Sequence, residues 1–553
     1  MKKMFKKLMA LLLICTLTMV MTVGCKNNDA GKTDETAANS AAKDTVEGAA
    51  ETSATAYPDY SSGFADHVTI EIPVYDRAFE GWNVTDNYYT KWIQSRFGDK
   101  YNVTVKFVAI GKSTEVTDYT QMLAADTAPD IIFHYDMPQV LAYYGEGAMQ
   151  KLDLNEIANY APAYWASMGE ADSTYGTVDG GNYFFFADRP DAYNWLTLIR
   201  QDWIDAVGMD MPTSLEEYNK LLAAWKEAGL GNGGGNLVQN NFTYDYPFRS
   251  WPINEKERAL YSDLSVPAFT WEPTHKFLQN LNYQYNNGLI DPEFYLNTDD
   301  ASTQADFVSG NSGVYALYLA SSSTVIANLL TNDPSAKVSV LDTKALSPAG
   351  GEYVPASRAY WPFGMIMGIN STTAPEERAA VWMYLEWMSQ PDNLFFLQNG
   401  VEGQNYTLDD EGLAVKNVGF TGESNLSNNN NKDYWCLVTE SAKYKDEAVN
   451  YQANLTNWAP AGYEYLIEDS YKYYKDYLKY ATPDALYSVV LESVAEYKSD
   501  LNDLWKELYV KCAMSTEADF ETTYKDACQE FLDSGYQAIL DEKTKAIANG
   551  KYN

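Results

Sequence analysis

Hydrophobic and polar positions follow a regular order through the first part of the chain that could fold. Residues 68–74 (VTIEIPV) alternate apolar and polar side chains, which predicts a strand with one buried face. A polar helix is predicted over 86–97, a strand over 103–110, a helix over 119–125, and a buried strand over 128–133 (APDIIF). This order of strands and helices predicts an open, largely parallel sheet with helices on its faces.

The ends of these strands indicate where a site would form. In such sheets, ligands bind beyond the carboxyl ends of the strands. Residues 75–82, 110–113 and 134–137 follow the three predicted strands, so we expect them to meet at one edge. His134 lies in the last of these segments and has two interpretations, as a rim residue or as a structural histidine.

The N-terminus carries an apolar run of a different kind. Four lysines within residues 2–7 precede an almost purely apolar stretch, 8–20, and residues 21–25 read MTVGC. The run is too short for a membrane-spanning helix and is typical of a secretory signal. Its end resembles a bacterial lipobox, which implies a signal peptide over 1–24 and a lipid (palmitate) anchor on Cys25. The alternative is an ordinary signal peptide cut elsewhere, with Cys25 unmodified.

The segment after the cysteine has too few apolar residues to form a core. Residues 25–56 contain a single valine as their only large aliphatic side chain and no aromatic residue. Such a composition cannot bury enough surface to offset the entropy of ordering. We therefore predict a disordered tether that would join the anchor to a folded body beginning at Tyr57.

The body of the chain, about 495 residues, is too long for one hydrophobic core and implies at least two lobes. The formal net charge of −36 argues against nucleic acid and against anionic lipid surfaces as partners, because both bind basic patches. The chain is 14% aromatic, with 44 Tyr and 14 Trp. Tyr and Trp combine an apolar face with a polar group, which suits hydroxylated ligands such as sugars.

The cysteines and glycines predict no metal or cofactor site. Cys436, Cys512 and Cys528 remain in the body and show no metal-ligand spacing. Cys512 and Cys528 flank a short break between two helical patterns, so either a disulfide or a pair of buried thiols is compatible with the sequence. The glycine-rich segment 229–236 lacks carboxylates for calcium and lacks the Lys-Ser/Thr ending of a phosphate-binding loop.

Seven segments in order resemble one protein family. They are residues 128–132 (APDII), 152–157 (LDLNEI), 198–204 (LIRQDWI), 212–217 (PTSLEE), 286–292 (NNGLIDP), 307–314 (FVSGNSGV) and 400–406 (GVEGQNY). Together they resemble the family 1 extracellular solute-binding proteins, the maltose-binding-protein-like receptors of ABC importers. The last segment is similar to the large lipoproteins of Gram-positive bacteria, whose members mostly take up oligosaccharides.

The resemblance implies a two-lobed α/β periplasmic-binding-protein-like fold (type II), each lobe a mostly parallel sheet flanked by helices, with a hinge between them. The implied boundaries are 57–190 with 307–370 for lobe 1, and 191–306 with 371–553 for lobe 2. The implied function is to bind an oligosaccharide in the cleft and deliver it to a separate ABC permease. The protein would act as a monomer, without catalysis, anchored by lipid on the extracellular face of the cell membrane.

Ten residues are candidates for the ligand site. We selected aromatic residues next to Gly, Pro, Asn or Asp in predicted loops, for stacking on sugar rings, and charged residues for hydrogen bonds to hydroxyl groups. The aromatic candidates are Trp82, Tyr193, Trp195, Trp251, Trp361 and Trp458, and the charged candidates are Asp136, Arg189, Arg358 and Glu402. For each aromatic residue, packing in the core or hinge is an equally strong interpretation. Four tryptophans on helical stripes are assigned to the core: Trp203, Trp225, Trp382 and Trp387.

Two other functions compete with this one. A secreted carbohydrate-active enzyme (glycoside hydrolase type) would also be acidic and rich in aromatic residues, and would need two carboxylates across a cleft. The sequence has three histidines, no His-Glu-x-x-His motif and no Gly-x-Ser-x-Gly elbow. A receptor for peptides or another nutrient on the same scaffold is the second alternative, because a fold does not fix its ligand.

Overall fold

The computed structural model describes residues 57–189, 195–231, 255–263, 265–296, 300–342, 358–417, 419–426, 430–441, 447–477 and 482–553. The strands are β1 (Val68–Asp76), β2 (Val103–Gly111), β3 (Ile131–His134), β4 (Thr177–Val178), β5 (Gly181–Asn182), β6 (Phe185–Asp188), β7 (Trp195–Arg200), β8 (Val314–Tyr318), β9 (Val338–Val340), β10 (Arg358–Ala359), β11 (Phe363–Ile369), β12 (Tyr406–Leu408), β13 (Ala414–Lys416) and β14 (Thr482–Pro483). The predicted signal peptide, tether and lipidation site at Cys25 lie outside the described residues.

Helices cover both faces of the sheets. The helices up to residue 309 are α1 (Tyr88–Ile93), α2 (Asp99–Tyr101), α3 (Glu115–Ala124), α4 (Met137–Gly145), α5 (Leu154–Tyr160), α6 (Pro162–Tyr175), α7 (Gln201–Ala206), α8 (Leu215–Glu227), α9 (Glu255–Tyr261), α10 (Glu272–Asn286) and α11 (Asp300–Ser309). The later helices are α12 (Ser322–Asn332), α13 (Pro375–Ser389), α14 (Pro391–Asn399), α15 (Lys432–Trp435), α16 (Glu447–Trp458), α17 (Tyr465–Tyr477), α18 (Glu492–Met514), α19 (Phe520–Phe531) and α20 (Gln537–Ala548).

The strand pairing is mixed rather than mostly parallel. Strands β1 and β2 are parallel over nine residue pairs, from Val68 opposite Val103 to Asp76 opposite Gly111. This agrees with the predicted strand–helix–strand unit. The two three-stranded sheets, β3–β11–β6 and β8–β7–β9, are antiparallel throughout. The apolar run of β3 has the composition of a buried strand, but that composition does not identify the direction of its neighbour.

Most buried side chains of the described residues belong to one large core and two smaller clusters. Core A, the large one, combines side chains from β1, β2, β3, β6 and β11 with those of α10, α13, α18, α19 and α20. Core B, the two small clusters, surrounds the sheet β8–β7–β9. Leu196 and Leu198 belong to one of these clusters and Ile199 to the other, as expected because successive side chains of a strand point to opposite faces of its sheet.

Some segments of each predicted lobe pack in different cores, and the lobe boundaries themselves stay a prediction. Strand β8, predicted in lobe 1, pairs with β7, and Phe307 and Tyr315 pack in core B. Helix α13, predicted in lobe 2, contacts β1, α5 and α6. Its apolar stripe, with Trp382 and Leu385 fully buried, lies in core A, and the C-terminal helices α18–α20 lie there too. The amphipathic pattern of these helices predicts a buried face but does not specify what covers it.

Local helix signals mostly agree with the sequence. Pro375 occupies the first position of α13, where its missing N–H costs no helical hydrogen bond. Ser214 is the N-cap of α8, and its side chain accepts a hydrogen bond from the backbone N–H of Glu217. The Glu217 carboxylate in turn accepts from the backbone and hydroxyl of Thr213, at 2.8 Å each. The four tryptophans assigned to the core are all buried, which confirms that assignment.

The three body cysteines are free thiols. Cys512 lies on α18 and Cys528 on α19, so of the two states compatible with the sequence the structure has the unbridged one. Burial raises the pKa of Cys512 to about 12 and that of Cys528 above its ordinary value. A thiol with a raised pKa is mostly protonated and a weak nucleophile near neutral pH.

Candidate functional site

A cleft opens where β3, β6 and the β10–β11 connection end together. It encloses about 410 Å³ of space that is open to solvent. Tyr135 and Asp136, at the end of β3, line it beside Arg189, which directly follows β6. Its remaining walls come from residues 360–366, from Asp263 and from residues 484–486. The site thus lies beyond a strand end, as the sequence predicts for residues 134–137.

Aromatic rings form one wall of the cleft. The ring of Trp361 stacks nearly parallel to that of Phe363, at 6.1 Å and 9°. The ring of Tyr175 supports Trp361 from α6, at 4.8 Å between ring centroids. The indole Nε1 of Trp361 donates a hydrogen bond to the backbone carbonyl of Asp484 at 3.1 Å. These contacts fix the orientation of a half-buried ring that remains partly accessible in the cleft.

Arg189 is held against this wall by two contacts. Its guanidinium lies over the ring of Tyr360 at 4.5 Å, and its Nη2 lies 3.5 Å from the Glu440 carboxylate. Glu440 packs against Gly364, and a Cβ added at Gly364 would lie 1.9 Å from Cγ of Glu440. Glycine at this position of β11 therefore leaves the space that the Glu440 side chain occupies next to Arg189.

A buried histidine supports Asp136 at the opposite rim. Nδ1 of His134 accepts a hydrogen bond from the Asp136 backbone N–H at 2.9 Å, and Nε2 lies 2.6 Å from Glu115. Nδ1 is therefore the acceptor and Nε2 carries the proton donated to Glu115. Burial would raise the pKa of Glu115, but its hydrogen bond with His134 and the charge and hydrogen bond of Lys112 lower it to about 2. Of the two interpretations of His134, the structural one fits these contacts.

The structure brings three of the ten predicted residues together in the cleft: Asp136, Arg189 and Trp361. Trp82 instead packs on Tyr89 and Tyr434 at the edge of core A. Trp458 ends α16 and packs against core B, while Glu402 is exposed in the turn before β12. The Gly and Asn residues around Trp82 indicate a turn correctly, but a turn residue can still direct its ring into the core.

The other four predicted residues fall wholly or partly outside the described part of the chain. Tyr193 and Trp251 lie in undescribed segments, and for Trp195 and Arg358 the structure describes only the backbone. Trp195 begins β7, opposite Tyr318 of β8, and Arg358 lies in β10, opposite Thr482 of β14. Their participation in the site stays a prediction.

Sequence reasoning missed several residues of the cleft. Asp263 follows the short helix α9, and Asp484 follows the two-residue strand β14. Neither is part of a recognisable strand-end pattern, so no sequence signal singled them out. Tyr360 lies next to the predicted Trp361, and its turn-flanked position could have identified it by the same rule.

No helix in the described ranges is both long and apolar enough to cross a bilayer. In the same ranges, no three His, Cys, Asp or Glu side chains are grouped so that they could hold a metal ion.

Comparison with curated proteins finds two relatives in Bacillus subtilis (strain 168). Lipoprotein LipO is 26% identical over 270 residues, which cover 46% of this chain and 53% of that protein. The polygalacturonan/rhamnogalacturonan-binding protein YtcQ is 20% identical over 303 residues, which cover 51% of this chain and 57% of that protein. The matched region thus spans little more than half the length of these curated relatives.

A solved structure and a family match define the fold and the family. The alginate-binding protein AlgQ2, in a crystal structure without calcium ion, superposes with a TM-score of 0.60 at 17% identity, covering 88% of this chain and 99% of that one. This likeness confirms the predicted two-lobed α/β fold of periplasmic binding proteins. Residues 92–395, more than half of the chain, match the family described as bacterial extracellular solute-binding protein. The chain therefore belongs to the bacterial extracellular solute-binding proteins.

Proposed function

We propose that this protein is the receptor of an ABC importer and binds an oligosaccharide in the cleft described above. The observation that carries the proposal is the pairing of an aromatic wall, Tyr360, Trp361 and Phe363, with the charged groups of Asp136 and Arg189. Family membership supports a binding role, and the names of YtcQ and AlgQ2 support a saccharide as the ligand class.

The arrangement of the cleft residues suits non-covalent binding of a sugar. A pyranose ring presents an apolar face that stacks on Trp361, while its hydroxyl groups donate to Asp136 and accept from Arg189. Charged partners strengthen these hydrogen bonds and fix the orientation of the ring. Closure of the two lobes around the hinge then buries the ligand, and the closed form docks on a separate permease. The protein itself breaks no bond.

The test of this function is thermal unfolding of the full chain in detergent, against panels of oligosaccharides and peptides. A ligand that binds only the folded state raises the melting temperature as its concentration rises, by about 2.7 kcal/mol of stability at one hundred times Kd. We expect an oligosaccharide to do so and to be recovered intact by mass spectrometry. A shortened glycan would instead indicate a hydrolase, and a shift with peptides alone would contradict the sugar assignment.

We also propose that Cys25 anchors the protein to the outer face of the cell membrane. The substitution Cys25→Ser should move the protein from the membrane fraction to the medium and abolish incorporation of radiolabelled palmitate, because the thiol is the acylated group. Cys436→Ser, which removes a buried thiol of core A, is the matched control and should leave both readouts unchanged. Palmitate labelling that persists in Cys25→Ser would exclude this anchor.

A further inference from the structure

Asp263 brings a carboxylate with one unused oxygen to the cleft. The residue is 4% exposed, follows α9 and lines the cleft. Its Oδ1 accepts a hydrogen bond from the ammonium group of Lys543, on α20, at 2.6 Å. Its Oδ2 is buried and has no hydrogen-bond partner among the described residues. The second oxygen is therefore an acceptor that this part of the protein does not use.

Asp130 is a buried carboxylate in the same protein whose two oxygens both accept hydrogen bonds. Its Oδ2 accepts from the backbone N–H of Glu71 and its Oδ1 from the hydroxyl of Thr373, both at 2.7 Å. A buried acceptor without a donor is costly, so its presence needs an explanation. Asp130 is remote from the cleft lining, whereas Asp263 belongs to it. Asp172 and Glu440 each also have a buried oxygen without a described partner, but of these three carboxylates Asp263 is the one in the cleft lining, where a ligand can supply the donor.

The charges around Asp263 restrict the chemistry of that ligand. Asp136 and Asp484 line the same cleft, which gives it three carboxylates. Burial lowers the pKa of Lys498, on α18, while the charges of Asp136 and Asp263 act to raise it. Lys543 thus already has a carboxylate partner at 2.6 Å, and the charge of Asp263 also acts on Lys498.

Among the described residues that line the cleft, the cation is Arg189, which contacts Glu440 and the ring of Tyr360. An acidic sugar would therefore add another carboxylate to a site whose described lining carries three carboxylates and one guanidinium. Like charges that approach within a few ångströms in a partly buried site repel each other strongly.

We infer that Asp263 is a specificity-determining residue of this cleft, which selects neutral or amino sugars over uronic acids. Its Oδ2 accepts a hydrogen bond from a hydroxyl or amino group of the saccharide, and Lys543 holds the other oxygen in place. This inference rests on the proposed function and names the class of sugar. The sugar class inferred for this cleft therefore differs from the acidic polysaccharides named for YtcQ and AlgQ2.

The test uses the full chain in detergent on an array that carries neutral, amino and uronic oligosaccharides. We expect binding to neutral or amino sugars, and Asp263→Asn should weaken it about 10- to 100-fold, because a hydrogen bond to a charged acceptor is lost. Glu156→Gln is the matched control, because Glu156 is also a buried carboxylate in an ion pair, with Arg378 at 2.7 Å, but lies outside the cleft lining. It should lower the melting temperature and leave the affinity unchanged.

A second variant separates recognition from folding. Asp263→Asn leaves the Lys543 ammonium buried without its partner, whereas Asp263→Asn with Lys543→Met removes both charges and should fold. The folded double variant should show the same loss of affinity. If the protein preferred uronic acids, or if the folded double variant kept its affinity, the role of Asp263 would be refuted. Binding of any glycan in the same experiment would still support the proposed function. Binding to no glycan would refute both.

Discussion

Replacing Asp433 with alanine should lower the free energy of unfolding by about 3 kcal/mol. The two oxygens of Asp433 accept hydrogen bonds from Nε and Nη2 of Arg77, at 2.8 and 2.9 Å. The side chains of Asp433 and Arg77 are 3% and 30% exposed, so removal of the carboxylate leaves a partly desolvated guanidinium without its counter-ion. Urea unfolding at neutral pH measures the change.

Two other variants define what the Asp433 result means. Asp433→Asn keeps the shape and loses the charge, so its cost should be smaller than that of alanine. Glu216→Ala removes an ion pair of similar length, 2.7 Å between Glu216 and Lys220. The side chains of these two residues are 77% and 63% exposed. Exposed pairs contribute at most about 1 kcal/mol. If Asp433→Ala cost no more than Glu216→Ala, the Arg77 contact would not be a stabilising one.

This pair matters because it joins distant parts of the chain. Asp433 lies on α15, and Arg77 directly follows β1. The neighbouring Tyr434 donates to the carbonyl of Val84 at 2.6 Å, which makes a second bond to the same region. Residues 430–441 thus fold against the first sheet and carry Glu440 to the cleft. The sequence predicts this segment in lobe 2, and a large effect of Asp433→Ala would show that the segment is held strongly against β1.

The parts of the fold that the sequence predicts well are those with local signals. The alternation in residues 68–74 locates β1, and the apolar runs that follow locate β2 and β3 to within a few residues. Antiparallel pairing in the other sheets was missed because strand composition does not encode the partner. The core in which the C-terminal helices lie could not be predicted for the same reason, since an apolar stripe on α18 indicates burial without naming the covering element.

The residues of the candidate site likewise fall into those with a local sequence signal and those without one. Asp136, Arg189 and Trp361 were found because each stands in or beside a turn that borders a strand. Asp263 and Asp484 are 221 residues apart in sequence, and a backbone hydrogen bond from Ala485 N–H to the Ser262 carbonyl, at 3.1 Å, joins their segments beside the cleft. Tertiary contacts of this kind leave no pattern in a single sequence, so that half of the site required the structure.

Trp361→Ala should reduce affinity for the glycan identified in the melting screen about 10- to 100-fold, the range for aromatic residues at the centre of a binding site. The substitution removes the apolar face on which a sugar ring stacks and the Nε1 hydrogen bond to Asp484. Trp361→Phe keeps a ring and should lose less. Isothermal titration calorimetry measures the affinities, and a melting curve for each variant reports its stability.

The control for Trp361 is a tryptophan that only packs. Trp387 is 8% exposed, stacks on Tyr384 in core A at 6.0 Å, and does not line the cleft. Trp387→Ala should lower the melting temperature strongly, since truncating a buried tryptophan costs about 3–5 kcal/mol, but the folded fraction should bind with wild-type affinity. Trp361 also packs on Tyr175 and Phe363, so its loss will cost some stability as well. Lower stability with unchanged affinity in Trp361→Ala would mean that its ring supports the cleft wall without contacting the ligand.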